Sequence, residues 1–211
     1  MREIWLSLLI VLSLAGTSPA IAQTPPKPAP GGGEALALKP NDRILGKPDA
    51  PITIIEYASL TCPHCAHFEV DVLPKLKQKW IDTGKAKLVL RDFPLDALAL
   101  AAATVARCVP AEKFYPLVDT FFAQQEQWAA AHEPRAALEK LAKVAGIGDK
   151  QFKTCTEDKK LEDQVVQSRL TAAQQLGVNS TPSFFVNGQK FEGAPTFEAF
   201  DQLLSGLAAK S

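Results

Sequence analysis

A pair of cysteines at the junction of a predicted strand and a predicted helix constrains the fold of this chain most strongly. The apolar, β-branched run that begins at Ile52 predicts a buried strand to Ala58, and Cys62-Pro63-His64-Cys65 comes shortly after it. Apolar residues then recur with the spacing of one helix face, at Phe68, Val72, Leu73 and Leu76. We therefore expect Cys62 in the first turn of a helix, where unpaired backbone N–H groups and the helix dipole stabilise a thiolate.

The spacing of these two cysteines predicts thiol–disulfide chemistry. Cys62 and Cys65 are three positions apart, so they share a helix face and their sulfurs can meet. Pro63 suits a first turn because it has no N–H to leave unpaired, and His64 adds a positive charge when it is protonated. A stabilised thiolate leaves readily and favours the dithiol over the disulfide. The pair is therefore predicted to donate its disulfide to other molecules.

Three other roles are open to a C-x-x-C pair. An inert structural bridge would be unusual at a strand–helix junction. A zinc site could include His64 and His67, but it needs four convergent ligands, and the remaining cysteines, Cys108 and Cys155, form no second close pair. Covalent haem requires histidine directly after the second cysteine, and Ala66 stands there. Redox chemistry remains the favoured interpretation.

The beginning of the chain predicts export. An apolar run over residues 4–15 and the small residues Ala20-Ile21-Ala22 predict a secretory signal peptide, residues 1–22, cleaved before Gln23. An uncleaved N-terminal membrane anchor is the alternative. Export would place the mature protein in an oxidising compartment, where disulfides persist. Because 23 basic residues balance 23 acidic ones and no basic run is present, nucleic acid is not an expected partner.

The rest of the chain predicts one α/β domain. Residues 23–40 contain five prolines and Gly31-Gly32-Gly33, which predicts a flexible linker without a core. A domain follows over residues 41–211, with a short edge strand within 41–46. A second strand over 86–93 would complete a β-α-β unit. The cysteines would then lie at the carboxyl end of the first strand, where open α/β sheets carry their sites.

An all-helical insertion is predicted at about residues 96–176. Its clearest apolar face, which we interpret as core, consists of Phe114, Leu117, Val118, Phe121 and Phe122. Two short strands over 183–186 and 189–191 follow, joined by a tight turn at Asn187-Gly188. Thr196 is expected to cap a final helix over residues 197–207.

Glu56 is the exception within the first strand. A carboxylate in a buried strand is costly unless it has a partner or a task. One interpretation places it at an exposed edge or beside water. The other makes it an acid beneath the cysteine pair that exchanges a proton with Cys65.

Together these features resemble the DsbA family of thiol–disulfide oxidoreductases, over roughly residues 42–208. Cys62-Pro63-His64-Cys65 is the motif typical of its oxidising members, Glu56 matches the family's buried acid, and Phe68-Glu69 often follows the motif there. Thr181-Pro182 matches the dipeptide whose cis proline faces the cysteine pair, and Val186-Asn187-Gly188 also fits. The resemblance implies a thioredoxin fold with a helical insertion.

This chain departs from the family at two positions. Thr181, rather than valine, precedes the proline, at a position that tunes the release of partners in the family. The lysine that accompanies the buried acid has no clear match, since Lys85 and Lys87 are only nearby.

The resemblance implies a monomeric periplasmic oxidase of exported proteins with free thiols. Cys62 would be exposed and attacked by substrate, Cys65 would be buried, and Thr181 and Pro182 would contact the substrate. A DsbB-like membrane quinone reductase would reoxidise the pair, and no bound cofactor is needed. The alternatives are an isomerase or reductase of the same fold, or a non-catalytic zinc- or peptide-binding module. Isomerases carry a dimerisation domain before the catalytic one, for which residues 23–40 are too short.

The remaining cysteines are expected to form a structural disulfide. If Cys62 and Cys65 pair with each other, only Cys108–Cys155 remains among the three possible connectivities. Some relatives of the DsbA family carry a second disulfide in the helical insertion, which supports this pairing. The alternative is two buried free thiols that pack as small hydrophobes.

Overall fold

A five-stranded mixed sheet forms the centre of the computed structural model, which describes residues 32–209. The predicted signal peptide and the first residues of the predicted linker lie outside this range. The strands are β1 (Arg43–Leu45), β2 (Ile52–Ala58), β3 (Ala86–Asp92), β4 (Ser183–Val186) and β5 (Gln189–Lys190). Their order is β1-β3-β2-β4-β5, and β2 runs parallel to β3 while the other neighbours are antiparallel. The predicted β-α-β unit and the edge strand β1 are confirmed.

The central strand β2 divides its side chains between two cores, because successive residues of a strand point to opposite faces. Ile52 and Ile54 join the larger hydrophobic cluster, whereas Ile55 and Tyr57 join the smaller one on the other face. By this alternation Glu56 faces the larger cluster, level with Leu90 of β3 and Phe184 of β4.

A continuous helix follows β2 and packs on the larger cluster. It consists of α2 (Pro63–His67), a π-helical segment π1 (Phe68–Val72), α3 (Leu73–Leu76) and a second π-helical segment π2 (Lys77–Ile81). The predicted apolar face is buried, at Phe68, Val72, Leu73 and Leu76. Widened π turns are rare in proteins and often accompany functional sites.

The insertion between β3 and β4 is all-helical, as predicted. Its helices are α4 (Ala97–Cys108), α5 (Ala111–Ala123), α6 (Gln125–Ala129), α7 (Pro134–Val144), α8 (Asp149–Glu157) and α9 (Lys159–Leu176). The predicted aromatic and aliphatic face of α5 is buried in the core. Among residues 32–209 there is no helix whose length and apolarity would suit a membrane span.

The last part of the chain also follows the prediction. Asn187 and Gly188 both have positive φ angles, 47° and 79°, as the tight turn between β4 and β5 requires. The final helix, α10 (Phe197–Ala208), begins at Thr196, whose hydroxyl accepts a hydrogen bond from the Ala199 N–H.

The linker prediction is wrong for its final residues, which fold onto the domain. Residues Gly32–Leu36 form a short helix, α1, and Ala35 and Leu36 are buried. Arg91 of β3 donates to the carbonyl oxygens of Ala35 and Ala37 and forms an ion pair with Asp42. The buried guanidinium needs acceptors, and this segment supplies them.

Candidate active site

Cys62 lies immediately before α2, where its own carbonyl accepts hydrogen bonds from the Cys65 and Ala66 N–H groups. Pro63 occupies the first turn, as predicted. The Cys62 Sγ lies 3.3 Å from the carbonyl oxygen of Thr181, and the Thr181-Pro182 peptide bond is cis, as the resemblance implied. Cys62 and Cys65 are free, so the structure describes the dithiol form.

The environment of Cys62 favours its thiolate. A hydrogen bond from the Cys65 thiol contributes most to lowering the pKa of Cys62 to about 5, against the opposing effect of burial. Thr181 and the backbone N–H groups of Cys65 and His64 lower this pKa further. The Thr181 hydroxyl has no partner in the dithiol form, so it is available to donate to an ionised sulfur. The helix start and Thr181 together stabilise negative charge on Cys62.

The environment of Cys65 favours the thiol. This residue is fully buried, and burial is the main cause of the raised pKa of Cys65. Its hydrogen bond to Cys62 and the negative charge of Glu56 raise the pKa further. Two cysteines on one helix turn therefore have opposite preferences, one for the thiolate and one for the proton.

The expected exposure of Cys62 is wrong for the dithiol form. Cys62 is only 5% exposed, because the segment at Thr181 lies against its sulfur. The expected burial of Cys65 is correct.

His64 contributes to the site through its backbone, whereas its side chain is exposed. His67 is also exposed, and its Nδ1 lies 2.7 Å from the carboxylate of Asp71. No group of three or more His, Cys, Asp or Glu side chains within residues 32–209 is arranged to hold a metal ion.

Glu56 lies in the central strand of the sheet and is fully buried, so an exposed edge position is excluded. Burial raises the pKa of Glu56 well above its usual range, and the charges of Glu69 and Cys62 raise it further. Neither nearby lysine reaches it. Lys87 donates to the carbonyl oxygens of residues 48 and 50, and Lys85 lies over the Trp80 ring.

The sequence alone assigned no role to two residues that lie at the site, Gln125 and Glu69. The Gln125 amide donates to the carbonyl oxygens of Leu60 and Cys62, at 2.8 and 3.0 Å, and so ties the helical insertion to the cysteine loop. No local pattern indicates this contact, because 65 positions separate Gln125 from Leu60. Glu69 is a second buried acid beside Glu56. Its position four residues after Cys65 on a predicted helix could have indicated that it lies on the same helix face as Cys65.

The predicted Cys108–Cys155 disulfide is present. Its sulfurs are bonded and its Cα atoms lie 5.6 Å apart, joining the end of α4 to α8. A cavity of about 600 Å³ lies beside α9, and none of the four cysteines lines it. Four of the charged residues that line it form ion pairs with each other, Arg91 with Asp42 and Arg107 with Asp92.

A thioredoxin-type sheet, a C-x-x-C pair at a helix start and a facing cis proline define the class of the protein. Comparison with known proteins agrees, since a family model described as Thioredoxin matches residues 38–205. The crystal structure of Wolbachia pipientis alpha-DsbA1 is similar over 86% of this chain and 97% of that one, with TM-score 0.79 and 34% identity. The chain belongs to the DsbA family of thioredoxin-fold proteins.

Relatives with similar sequences are named as proteins that oxidise or form disulfide bonds. A putative protein-disulfide oxidoreductase of Rickettsia bellii is 35% identical over 153 residues, which are 72% of this chain and 59% of that protein. A probable disulfide bond formation protein D of Bacillus cereus is 33% identical over 166 residues, 74% of each chain. The chain thus spans somewhat more than half the length of the Rickettsia relative.

Proposed function

We propose that this protein is a thiol:disulfide oxidase that donates the Cys62–Cys65 disulfide to exported proteins. The observation that carries the proposal is the geometry of the pair: the Cys62 Sγ lies at the start of α2, 3.3 Å from the Thr181 carbonyl oxygen beside the cis proline, whereas Cys65 is fully buried. These surroundings lower the pKa of Cys62 and raise the pKa of Cys65. A Cys62 thiolate stabilised at neutral pH favours the dithiol product, which is the condition for a good disulfide donor. The names of the relatives from Rickettsia and Bacillus are consistent with this chemistry.

The first step is attack of a substrate thiolate on the Cys62 Sγ. The Cys62–Cys65 bond breaks, its electron pair passes to Cys65, and a mixed disulfide joins the substrate to Cys62. Glu56 is proposed to supply the proton that the buried Cys65 requires, since its carboxyl is fully buried and burial raises the pKa of Glu56 well above its usual range. A second substrate thiolate then attacks the substrate sulfur, and Cys62 leaves as the stabilised thiolate.

The substrate is proposed to bind along Thr181 and Pro182. Thr181 is the residue whose carbonyl already contacts the Cys62 sulfur, so a peptide joined to Cys62 must pass beside it. The proposal includes a periplasmic location, action as a monomer and reoxidation by a DsbB-like membrane quinone reductase. His64 is proposed to add positive charge near Cys62 when it is protonated.

Trapping the mixed disulfide tests this function. Cys65→Ala should leave a reactive Cys62 that forms a stable adduct with an oxidised peptide, while Cys62→Ala should form none. The reduction potential of the wild-type pair then separates an oxidase from a reductase. The reference values are about −120 mV for DsbA and about −270 mV for thioredoxin, measured on those proteins. A potential near the thioredoxin value would contradict the oxidase assignment and favour a reductase.

Titration of reduced Cys62 is expected to show a midpoint near pH 5, followed by thiolate absorbance. His64→Ala should raise this midpoint and make the pair more reducing, because it removes a nearby cation but keeps the backbone N–H. The midpoint should still lie below the usual value of about 8.5, since the helix start is retained. Cys62→Ala is the control for the absorbance change. An ordinary midpoint in the wild type would contradict the proposed thiolate, and an unchanged one in His64→Ala would remove the role of the ring.

A further inference from the structure

Gln125 is a buried amide of the helical insertion whose hydrogen bonds reach the backbone of the redox site. It is 6% exposed, and its Nε2 lies 2.8 Å from the carbonyl oxygen of Leu60 and 3.0 Å from that of Cys62. A primary amide has two N–H groups, so each carbonyl can receive one of them. Because both partners are acceptors in a buried environment, they determine the orientation of the amide and strengthen its hold on the cysteine loop.

The helix that carries Gln125 is itself held firmly. Gln125 is the first residue of α6, and Trp128 of the same helix is fully buried. The Trp128 indole N–H donates to the Phe121 carbonyl oxygen at 2.8 Å, and the two aromatic rings lie 6.0 Å apart. A large side chain locked by packing and by a hydrogen bond leaves the backbone of α6 little freedom. Gln125 therefore reaches the cysteine loop from a rigid support.

The Cys62 carbonyl that Gln125 contacts is the first acceptor of α2. It also accepts from the N–H groups of Cys65 and Ala66, both at 3.1 Å, while the Cys62 N–H donates to the Ser59 carbonyl oxygen. The Cys62 backbone thus belongs both to the turn that begins at Ser59 and to the first turn of α2. A donor from outside the helix fixes the direction of this carbonyl and, with it, the direction of the first turn.

The first turn of α2 carries the groups that stabilise negative charge on Cys62. The Cys65 thiol contributes most to lowering the pKa of Cys62, and the backbone N–H groups of Cys65 and His64 contribute further. Hydrogen bonds weaken steeply as their angle departs from linearity. A rotation of the first turn would therefore weaken these interactions with the Cys62 sulfur together.

A second contact from the insertion holds the same loop less firmly. The Thr61 hydroxyl donates to the Asp96 carboxylate at 2.7 Å, and Asp96 also accepts from the Ala99 N–H at the start of α4. The bond between Thr61 and Asp96 is exposed, so water can replace either partner at little cost. The buried amide of Gln125 is the contact whose loss water cannot readily repair.

We propose that Gln125 is a positioning residue of the redox site, whose amide holds the Cys62 carbonyl so that the first turn of α2 faces the Cys62 sulfur. Gln125 acts through the backbone of the cysteine loop and takes no part in making or breaking bonds. This inference rests on the Cys62 thiolate that the proposed oxidase function uses. Through Gln125, the helical insertion contributes to how strongly the cysteine pair oxidises other thiols.

Gln125→Met tests this role, because methionine has nearly the length and volume of glutamine but no N–H donor. Titration of reduced Cys62 in the full mature chain should shift its midpoint upward by about one pH unit, which makes the thiol a roughly tenfold weaker acid. The reduction potential should become more negative by about 30 mV, since a tenfold change in the equilibrium constant of a two-electron couple corresponds to that value. Gln127→Met changes an exposed residue of the same helix and is the matched control, which should keep both values.

A merely structural role for Gln125 would lower the stability of the oxidised and reduced forms alike and would leave the midpoint and the potential unchanged. Unchanged values in Gln125→Met would therefore overturn the inference and keep the oxidase function. An ordinary Cys62 midpoint in the wild type would instead remove that function.

Gln125→Asn provides a second variant, because it keeps the amide but shortens the side chain by one methylene group. It should shift the midpoint and the potential in the same direction as Gln125→Met. If neither variant folds, hydrogen exchange of the Gln125 side-chain amide in the reduced wild type provides the test. Slow exchange would support a held amide, and rapid exchange would overturn the inference.

Discussion

Replacing Cys108 and Cys155 together by alanine is expected to lower the free energy of unfolding by about 4 kcal/mol. The disulfide joins residues 47 positions apart, and closing a loop of this length restricts the unfolded chain by about that amount in the chain-entropy model. Denaturant unfolding of the oxidised wild type and the double variant measures the difference. The double substitution is needed because a single one would leave an unpaired thiol in the core at Cys155, which is fully buried.

The redox chemistry provides the control for this prediction. Trapping of peptides through Cys62 should be unaffected, because the disulfide joins α4 to α8 and includes neither redox cysteine. Mild reduction should open the Cys62–Cys65 bond before the buried Cys108–Cys155 bond, and mass spectrometry shows which of the two bonds has been reduced. A loss of stability below about 1 kcal/mol would show that this bond does not restrict the unfolded chain as the model assumes.

Glu69→Gln is expected to stabilise the oxidised protein, increasingly so as the pH rises. Burial raises the pKa of Glu69 from 4.5 to about 8, so the folded protein holds a proton that the unfolded chain releases. Because the pKa of Glu69 is higher in the folded protein than in the unfolded chain, the contribution of its protonated carboxyl to the free energy of unfolding is fully present below about pH 4.5. This contribution is lost as the pH rises through 8. The wild type should lose roughly 3 kcal/mol by pH 7 and about 5 kcal/mol above pH 8.5 from this residue.

Unfolding curves of the oxidised wild type and variant between pH 4 and pH 9 measure this effect. The oxidised form is used because its disulfide-bonded cysteines do not titrate. The two proteins should be similarly stable near pH 4 and diverge above it, with the variant more stable. Asp71→Asn, which removes an exposed carboxylate from the same helix, should follow the wild type. Parallel pH profiles for the wild type and Glu69→Gln would contradict the raised pKa of Glu69.

The sequence by itself determined the elements whose causes are local. The strand–C-x-x-C–helix junction, the proline in the first turn, the Asn187-Gly188 turn and the Thr196 cap each depend on residues within a few positions of one another. The thiolate preference of Cys62 was predictable for the same reason, because part of it comes from backbone N–H groups at the helix start. The helical insertion followed from its periodic apolar face.

The choice between two interpretations of Glu56 required the sheet order. A carboxylate in an apolar strand looks the same in sequence at an edge and at the centre, and only pairing with β3 and β4 makes β2 central. The final residues of the predicted linker were equally ambiguous. Their composition indicates flexibility, but the buried Arg91 supplies donors that hold their carbonyl groups.

Only the tertiary structure brought the cysteine pair together with its distant partners. Thr181 contacts the Cys62 sulfur across 119 positions, and Gln125 reaches the Leu60 carbonyl across 65. Glu69 has a visible spacing from Cys65, but its pairing with Glu56 depends on how the helix packs over the sheet. Local patterns specify backbone geometry within a few residues, whereas contacts between distant residues are set by strand register and packing, which no short segment contains.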